Sequence, residues 1–389
     1  GEKMKEKRIY MDNAATTPVA REVVEAMLPY FSEHFGNASS IHKEGQDARR
    51  AIEDARRKIA KFMNAREEEV IFTGSGTESN NTAIKGLALS ELAKKKRHII
   101  TSNIEHHAVL EPCEFLEKQG FKVTYLNVDN NGLINLKELE KAITSETLLV
   151  SVMHANNEIG TIQDIAAIGK ICKSKNTLFH TDAVQTLGKM PIDVRKMNID
   201  FLSASAHKIY GPKGIGLLYV GEGIKIVPLL HGGGHEFGLR SSTENTPGIV
   251  GFGRAVELCQ RNMKPEAKKI SILRDKLIEE ILKIPNTRLN GHAKQRLYNN
   301  ANFSFHGIEG ESLVMHLDMH GIAASTGSAC STKSLKPSHV LTAIGLDHVT
   351  AHGSLRLTLG RNTTEKDINY TIRTVREIVE NLRKISPIR

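Results

Sequence analysis

Between residues 65 and 220, short β-rich runs alternate with longer amphipathic stretches, and this rhythm restricts the fold more than any other feature of the chain. The strand candidates are Val70–Gly74, His98–Ser102, Lys122–Asp129, Leu148–His154, Leu178–Asp182, Phe201–Ser205 and Ile215–Val220. Between several of them lie Thr77–Lys96, Ala108–Gln119 and Asp164–Ser174, each with helical spacing of its apolar residues. Parallel strands need long crossovers, and a helix is the usual one. The alternation therefore predicts an α/β domain with a mostly parallel, seven-stranded sheet and helices on both faces.

The flanks read differently. Lys43–Met63 places Ala48, Ala51, Ile52, Ala55, Ile59 and Phe62 on one stripe, as an amphipathic helix does. Beyond about residue 262 a helical stretch, Glu266–Leu282, leads into short strand candidates near Asn302–Phe305 and Ser354–Leu359. A last amphipathic helix is expected from Glu365 to Lys384, with Thr364 as its N-cap. A large domain over residues 16–261 and a smaller α+β domain from residues 1–15 and 262–389 follow from this change of character. The run His231-Gly-Gly-Gly-His235 reads as a mobile or ligand-facing loop.

Composition excludes several functions. The 389 residues are 40% hydrophobic and 25% charged, the balance of an ordinary globular protein that buries a large core. The net charge of +9 suggests an acidic partner, but the basic residues are spread among acidic ones, as in Arg49, Arg50, Glu53, Asp54, Arg56 and Arg57. With 5% aromatic residues and no Trp, stacking platforms for bases are scarce, so a nucleic-acid partner is not expected. Four cysteines without a C-x-x-C pair indicate neither a disulfide framework nor a zinc ribbon. No apolar run approaches the roughly 18 residues of a membrane span, and residues 1–8 lack an apolar signal core. No membrane association and a reducing cytoplasm are the expectations.

Residues capable of chemistry fall at the C-terminal ends of the expected strands, where open α/β sheets hold ligands. Thr73-Gly-Ser-Gly-Thr77 precedes a helix, and its small residues would let backbone N–H groups approach a phosphate; a plain tight turn is the other reading. Lys208 ends Ser203-Ala-Ser-Ala-His-Lys, where burial would make its amine nucleophilic enough to form an imine with an aldehyde cofactor. A lone lysine is more often a solvated surface group, and Lys213, in a Gly-Pro-Lys-Gly turn, is a competing candidate. Asp182 closes an apolar strand 26 residues earlier; it would partner a pyridinium nitrogen or cap the next helix, and Gln185 follows one turn later. In Ile104-Glu-His106-His107 one imidazole would stack on a planar cofactor and move protons. Metal ligation by that pair is not expected, since neighbours in sequence seldom face one site and no acidic or Cys partner is near.

These residues lie within motifs that bring a family into view. In order they are Tyr10-Met-Asp-Asn-Ala-Ala-Thr-Thr-Pro18, Met153-His-Ala-Asn-Asn-Glu-Ile-Gly160, His180-Thr-Asp-Ala-Val-Gln185, Ser205-Ala-His-Lys208, His231-Gly-Gly-Gly-His-Glu236, Ser325-Thr-Gly-Ser-Ala-Cys330 and Ser354-Leu-Arg-Leu-Thr-Leu-Gly-Arg361. Over nearly its whole length the chain resembles the cysteine desulfurases that serve iron–sulfur cluster assembly and nitrogenase maturation. These are pyridoxal-phosphate enzymes of the aspartate-aminotransferase-like transferase fold.

The resemblance implies that Lys208 carries pyridoxal 5'-phosphate, Asp182 keeps the ring nitrogen protonated, His106 stacks on the ring and Gln185 meets its phenolic oxygen. Gly76, Thr77, Ser205 and His207 would bind the phosphate, with Thr243 reaching it from the second subunit of a homodimer. Asn157 and Arg356 would hold the substrate carboxylate, and Cys330 would take the sulfur of L-cysteine as a persulfide, leaving alanine. The sulfur would pass to an iron–sulfur scaffold or another acceptor protein. Cys330 sits in a Ser/Gly/Thr-rich stretch, Ala324–Lys336, with the composition of a flexible loop, and Lys333 and Lys336 favour its thiolate. Cys113, Cys172 and Cys259, on helical segments, read as small core residues.

Two departures from the family pattern stand out. Ser242 replaces the usual Gly beside Thr243, which calls the local backbone geometry into question, and the sequence ends soon after its last helix, where some relatives carry a scaffold-docking tail. Two rivals follow. One is another enzyme of the same cofactor class, such as a selenocysteine lyase, a kynureninase-like hydrolase or an aminotransferase, from which only Cys330 and its loop separate a desulfurase. The other is a non-catalytic scaffold, which would have no use for Lys208, Asp182, His106 and Cys330 together.

Overall fold

All seven strand candidates form, and they share one sheet. The structure is a computed structural model and describes residues 8–327 and 337–386. In chain order the strands are β1 (Val70–Thr73), β2 (His98–Ser102), β3 (Lys122–Leu126), β4 (Thr147–Ser151), β5 (Leu178–Asp182), β6 (Phe201–Ser205) and β7 (Gly216–Val220). Their spatial order is β1-β7-β6-β5-β4-β2-β3. From β3 across to β6 every pair is parallel. β7 runs antiparallel between β6 and β1.

Successive side chains of a strand point to opposite faces, and here both faces are apolar. Val70, Phe72, Ile100, Val150, Leu202 and Leu217 enter one core with Ile52 and Ile59 of helix α1 (Lys43–Met63). Their neighbours Ile71, Ile99, Leu149, Phe201 and Leu218 enter the other, under Ile84 of α2 (Gly76–Ala88) and Val109 and Leu116 of α3 (His107–Lys118). Helix α4 (Ile165–Ser174) joins the first core through Ile165, Ile168 and Cys172. Cys113, Cys172 and Cys259 are all buried, and burial pushes each thiol up to about 12.

The remaining core forms around an antiparallel sheet of order β10-β9-β8, made of β8 (Thr287–Leu289), β9 (Asn300–Phe305) and β10 (Ser354–Thr358). Phe303 and Phe305 of β9 pack there with Leu313 of α6 (Gly310–Met319) and Ile368 and Val375 of α7 (Glu365–Ile385). Met11 is in the same cluster, and Ile9–Tyr10 pairs in parallel with Ile322–Ala323. Thr364 caps α7 by accepting from the Asp367 N–H, while the Asp367 carboxylate accepts from the Thr364 N–H, a reciprocal capping box.

Three elements differ from the expectation. The helix expected from Glu266 begins twenty residues earlier: α5 (Thr246–Ile281) runs for 36 residues with Pro265 inside it. Proline removes one helical hydrogen bond but does not end a helix whose two halves are each held by packing. Phe252 and Val256 are fixed in the first core, Ile270 and Leu277 in the second, so α5 ties the two together. Helix α2 stops at Ala88, where the Ser90 hydroxyl donates to the Leu87 carbonyl, and a separate 3-10 turn follows at Glu91–Lys94. β3 ends at Leu126, opposite the last residue of β2, and Asp129 accepts the N–H groups of Asn131 and Leu133 in a turn.

Candidate active site

The C-terminal ends of β2, β4, β5 and β6, with the start of α2, open into one cavity of 610 Å³. Gly76, Thr77, His106, Asn157, Asp182, Gln185, Ser205, His207, Lys208 and Arg356 all line it. Lys213, the competing lysine, lies at its margin and is exposed. Thr243 lies on an exposed loop outside the cavity of its own chain, and Cys330 lies outside the described residues.

Lys208 follows β6 in a short 3-10 turn, and its Nζ donates to the Ala14 and Ala15 carbonyls at 2.5 and 2.7 Å. Burial pulls its ammonium down to about 7, helped by Lys189 and Arg356, against the pull of Asp12 and Asp182. An amine in that range is neutral often enough near pH 7 to act as nucleophile or base.

Asp182 is the last residue of β5 and is buried. One of its oxygens accepts from Asn80 Nδ2 at 2.8 Å and the other from the Val184 N–H at 3.0 Å, which fixes the carboxylate plane. The cap reading of Asp182 is thus present as a turn contact, while its carboxylate still faces the cavity. His106 caps α3, its Nδ1 accepting the Ala108 N–H at 3.0 Å, so the ring proton belongs on Nε2. Burial lowers its pKa, keeping the ring neutral. Burial likewise lowers His207 to about 4; its Nδ1 lies 3.0 Å from the Thr16 hydroxyl.

At the start of α2, Ser75 Oγ accepts the Glu78 N–H, whereas the N–H groups of Gly76 and Thr77 have no acceptor among the described residues. A Cβ at Gly76 would come within 2.7 Å of the Val184 side chain, so only glycine lets α2 begin this close to the ends of β5 and β6. Unpaired N–H groups at a helix start, beside Ser205 and His207, make an anion cradle.

On the opposite wall, Arg356 comes from β10 and is 3% exposed. Nη1 donates to the Asn157 carbonyl at 2.9 Å and Nη2 to Asp12 Oδ1 at 2.9 Å, while Nε has no partner among the described residues. Asn157 thus contributes its carbonyl to the placing of Arg356, whose Nε is buried without a partner among the described residues.

A neutral imidazole, a buried carboxylate, a low-pKa lysine and an anion cradle fit a planar, phosphorylated pyridine aldehyde, and the unpartnered Gly76 and Thr77 N–H groups are donors that its phosphate would satisfy. The class-V aminotransferase family profile matches residues 9–371. The chain belongs to the class-V aminotransferase family. It is 55% identical to the cysteine desulfurase IscS of Clostridium botulinum over 98% of this chain and 97% of the relative. It is 56% identical to the cysteine desulfurase IscS of Methanosarcina thermophila, over 98% and 94%. Among solved structures, a NifS-like protein superposes with a TM-score of 0.91 at 41% identity, over 96% of this chain and all of the other. SspA in complex with cysteine superposes with a TM-score of 0.81 at 42% identity, over 92% and 100%.

Several residues in or beside the cavity wall emerge only from the structure. Glu105 is fully buried in the cavity wall; it accepts from the Ser102 hydroxyl at 2.6 Å and from the Met153 N–H at 2.9 and 3.0 Å. Burial pushes its carboxyl up to about 8. Its backbone carbonyl lies 2.9 Å from His339 Nε2, and Glu158 accepts from Ser338 Oγ at 2.5 Å. Asp12 and Glu158 sit inside motifs that carried the resemblance and Glu105 beside His106, but nothing in their spacing says which way they face. Ser242 is not among the residues with positive φ, so the position does not require glycine and the serine introduces no backbone strain. The Gly-rich segment 231–235 is followed by Glu236, whose carboxylate makes two bonds, 2.8 and 2.9 Å, with buried Arg56 of α1. No helix among the described residues is long and apolar enough to cross a membrane.

Proposed function

We propose that this protein is a cysteine desulfurase that binds pyridoxal 5'-phosphate at Lys208, converts L-cysteine to L-alanine, and collects the sulfur as a persulfide on Cys330. The observation that carries the reading is one cavity in which a low-pKa lysine, a buried carboxylate and a buried arginine with a free N–H converge. When bound, pyridoxal phosphate supplies an aldehyde carbon that condenses with amines and a ring that takes up electron density from the substrate Cα.

The chain's own residues do the rest. Asp182, its carboxylate plane fixed by Asn80 and the Val184 N–H, would partner the ring nitrogen. Gly76 and Thr77, with Ser205 and His207, receive the phosphate, and neutral His207 adds no positive charge of its own there. His106 presents its ring face and an Nε2 proton. Arg356 and Asn157, which line the cavity together, would receive the substrate carboxylate, which sets the amino group toward Lys208. Lys208 Nζ, drawn down to about 7 by burial, would serve as the base that removes the substrate α-proton. Cys330 thiolate then attacks the substrate sulfur. The Cβ–S bond breaks with its electron pair going to the carbon skeleton, which takes a proton and leaves as alanine, and a sulfur–sulfur bond forms on Cys330. Two electrons move from sulfur to carbon and no outside oxidant is required.

The full relatives named cysteine desulfurase support this assignment over the other members of the cofactor class. The reading extends to a homodimer, with Thr243 of one subunit at the phosphate of the other, to an iron–sulfur scaffold or similar acceptor for the sulfur, and to a reducing cytoplasm. The test is an assay of alanine and sulfide from cysteine with a thiol reductant. Wild type yields both in equal amounts; Lys208→Ala yields neither and lacks the yellow band of bound cofactor. Sulfide release by Lys208→Ala at the wild-type rate would refute the assignment.

A further inference from the structure

Behind Lys208, where residues 183–190 follow β5 and Gly188 packs against Cys259 of α5, lies a buried lysine that the proposed reaction does not use. Lys189 is 7% exposed, and no carboxylate forms an ion pair with it among the described residues. Its Nζ donates to the Gln185 backbone carbonyl at 3.1 Å and to Gln185 Oε1 at 3.4 Å. The other end of that amide, Nε2, donates to the Ala14 carbonyl at 3.1 Å, the same carbonyl that receives Lys208 Nζ. Lys189 and Lys208 also line one small cavity together, with Glu266 and Arg361 on its far side.

This arrangement settles which way the Gln185 amide points. An ammonium only donates and a backbone carbonyl only accepts, so Oε1 must face Lys189 and the NH2 must face Ala14 and the cofactor cavity. Burial draws Lys189 itself down to about 8, opposed by Cys259 and Glu266 across the small cavity, so it carries its proton below that pH. We infer that Lys189 is a positioning residue for the cofactor site: its ammonium holds Gln185 by the carbonyl end, so that the NH2 is presented to the ring oxygen, and it adds positive field at Lys208. The inference rests on the reading of Lys208 and Gln185 as cofactor-facing.

The groups that share the field at Lys208 are Lys189 and Asp182 from the β5 side, Arg356 from β10, Asp12 from the N-terminal segment, His106 from α3 and adjacent His207. Of these, Lys189 is a cation that touches neither substrate nor cofactor in the proposed reading. A positive neighbour disfavours protonation. Removing it therefore raises the pH at which the Lys208 nitrogen takes its proton.

The test compares wild type, Lys189→Met and Lys189→Arg, each loaded with pyridoxal phosphate. Methionine matches the length of lysine without the charge, and replacing an unpaired buried charge by an apolar side chain is well tolerated. The visible spectrum is titrated with pH, and kcat and KM are measured beside it. Lys189→Met is expected to move the spectral midpoint upward by about 0.5–1 pH unit and to lower kcat about tenfold with little change in KM. Lys189→Arg, which keeps the charge, is expected to hold the midpoint near that of wild type. An unmoved midpoint in Lys189→Met, or the same displacement in both variants, would overturn the inference and leave Lys189 as packing. A wild-type protein with no visible band would instead overturn the cofactor reading beneath it.

Discussion

Replacing Arg356 by lysine tests the substrate-binding wall with the charge left in place. Arg356 makes two 2.9 Å bonds, to Asp12 Oδ1 and to the Asn157 carbonyl, and retains one unpaired N–H. Lysine has a single nitrogen, so it can keep the Asp12 pair or reach a substrate carboxylate, but it cannot hold both with a rigid fork. A hydrogen bond to a charged group contributes about 1.5–3 kcal/mol, so losing the one to the carboxylate lowers kcat/KM for cysteine by about 10- to 150-fold. Most of this should fall on KM, because the carboxylate is bound in ground and transition states alike. The assay is alanine formation over a range of cysteine concentrations, repeated for C–S cleavage of cysteamine, which lacks the carboxylate. If Arg356→Lys slows both compounds by the same factor, the damage is structural. The assignment of Arg356 to the carboxylate would then be wrong.

Three further outcomes follow from the buried charges. Because Lys208 is drawn down to about 7, cofactor-free protein should take up pyridoxal phosphate faster as pH rises from 6 to 8 and level off above, as followed by stopped-flow absorbance. Glu105 is raised to about 8 from an ordinary 4.5, so the folded chain holds one more proton than the unfolded chain between those values. Folding stability from this group therefore falls as pH climbs through that window, by at most about 1.4 kcal/mol per pH unit. In urea titrations of the cofactor-free protein, Glu105→Gln should flatten that slope, and an unchanged slope would contradict the assigned burial. Removing Arg56 leaves the buried Glu236 carboxylate without its bidentate partner, and Arg56→Ala should cost about 3–5 kcal/mol in the same titration.

The fold was legible where the hydrophobic pattern leaves a single choice. β2, β5 and β6 begin and end at the residues expected, because each is an apolar run bounded by polar residues and buried on both faces. The long helix α5 was not legible, since Pro265 reads as a stop and only the packing of Phe252 and Leu277 into separate cores overrides it. Lys208, Asp182, His106 and Arg356, singled out from strand ends and motif likeness, line one cavity. Lys189 and Glu105 were not singled out, because a buried charge looks like a surface one until its neighbours from other elements are known. Asp12 comes to Arg356 across 344 positions of sequence, a contact that no local pattern announces.

The most direct measurement of the central claim is the fate of a single sulfur atom. Wild type, Lys208→Ala and Cys330→Ala are loaded with pyridoxal phosphate and given cysteine without reductant, and alanine and the mass of the Cys330 peptide are followed. The account predicts one alanine per chain and one added sulfur on that peptide in wild type. It predicts neither product in Lys208→Ala, and no alanine from Cys330→Ala although its yellow band remains. Full alanine and sulfide release by Cys330→Ala would contradict it and assign the chain to the lyases that need no protein thiol.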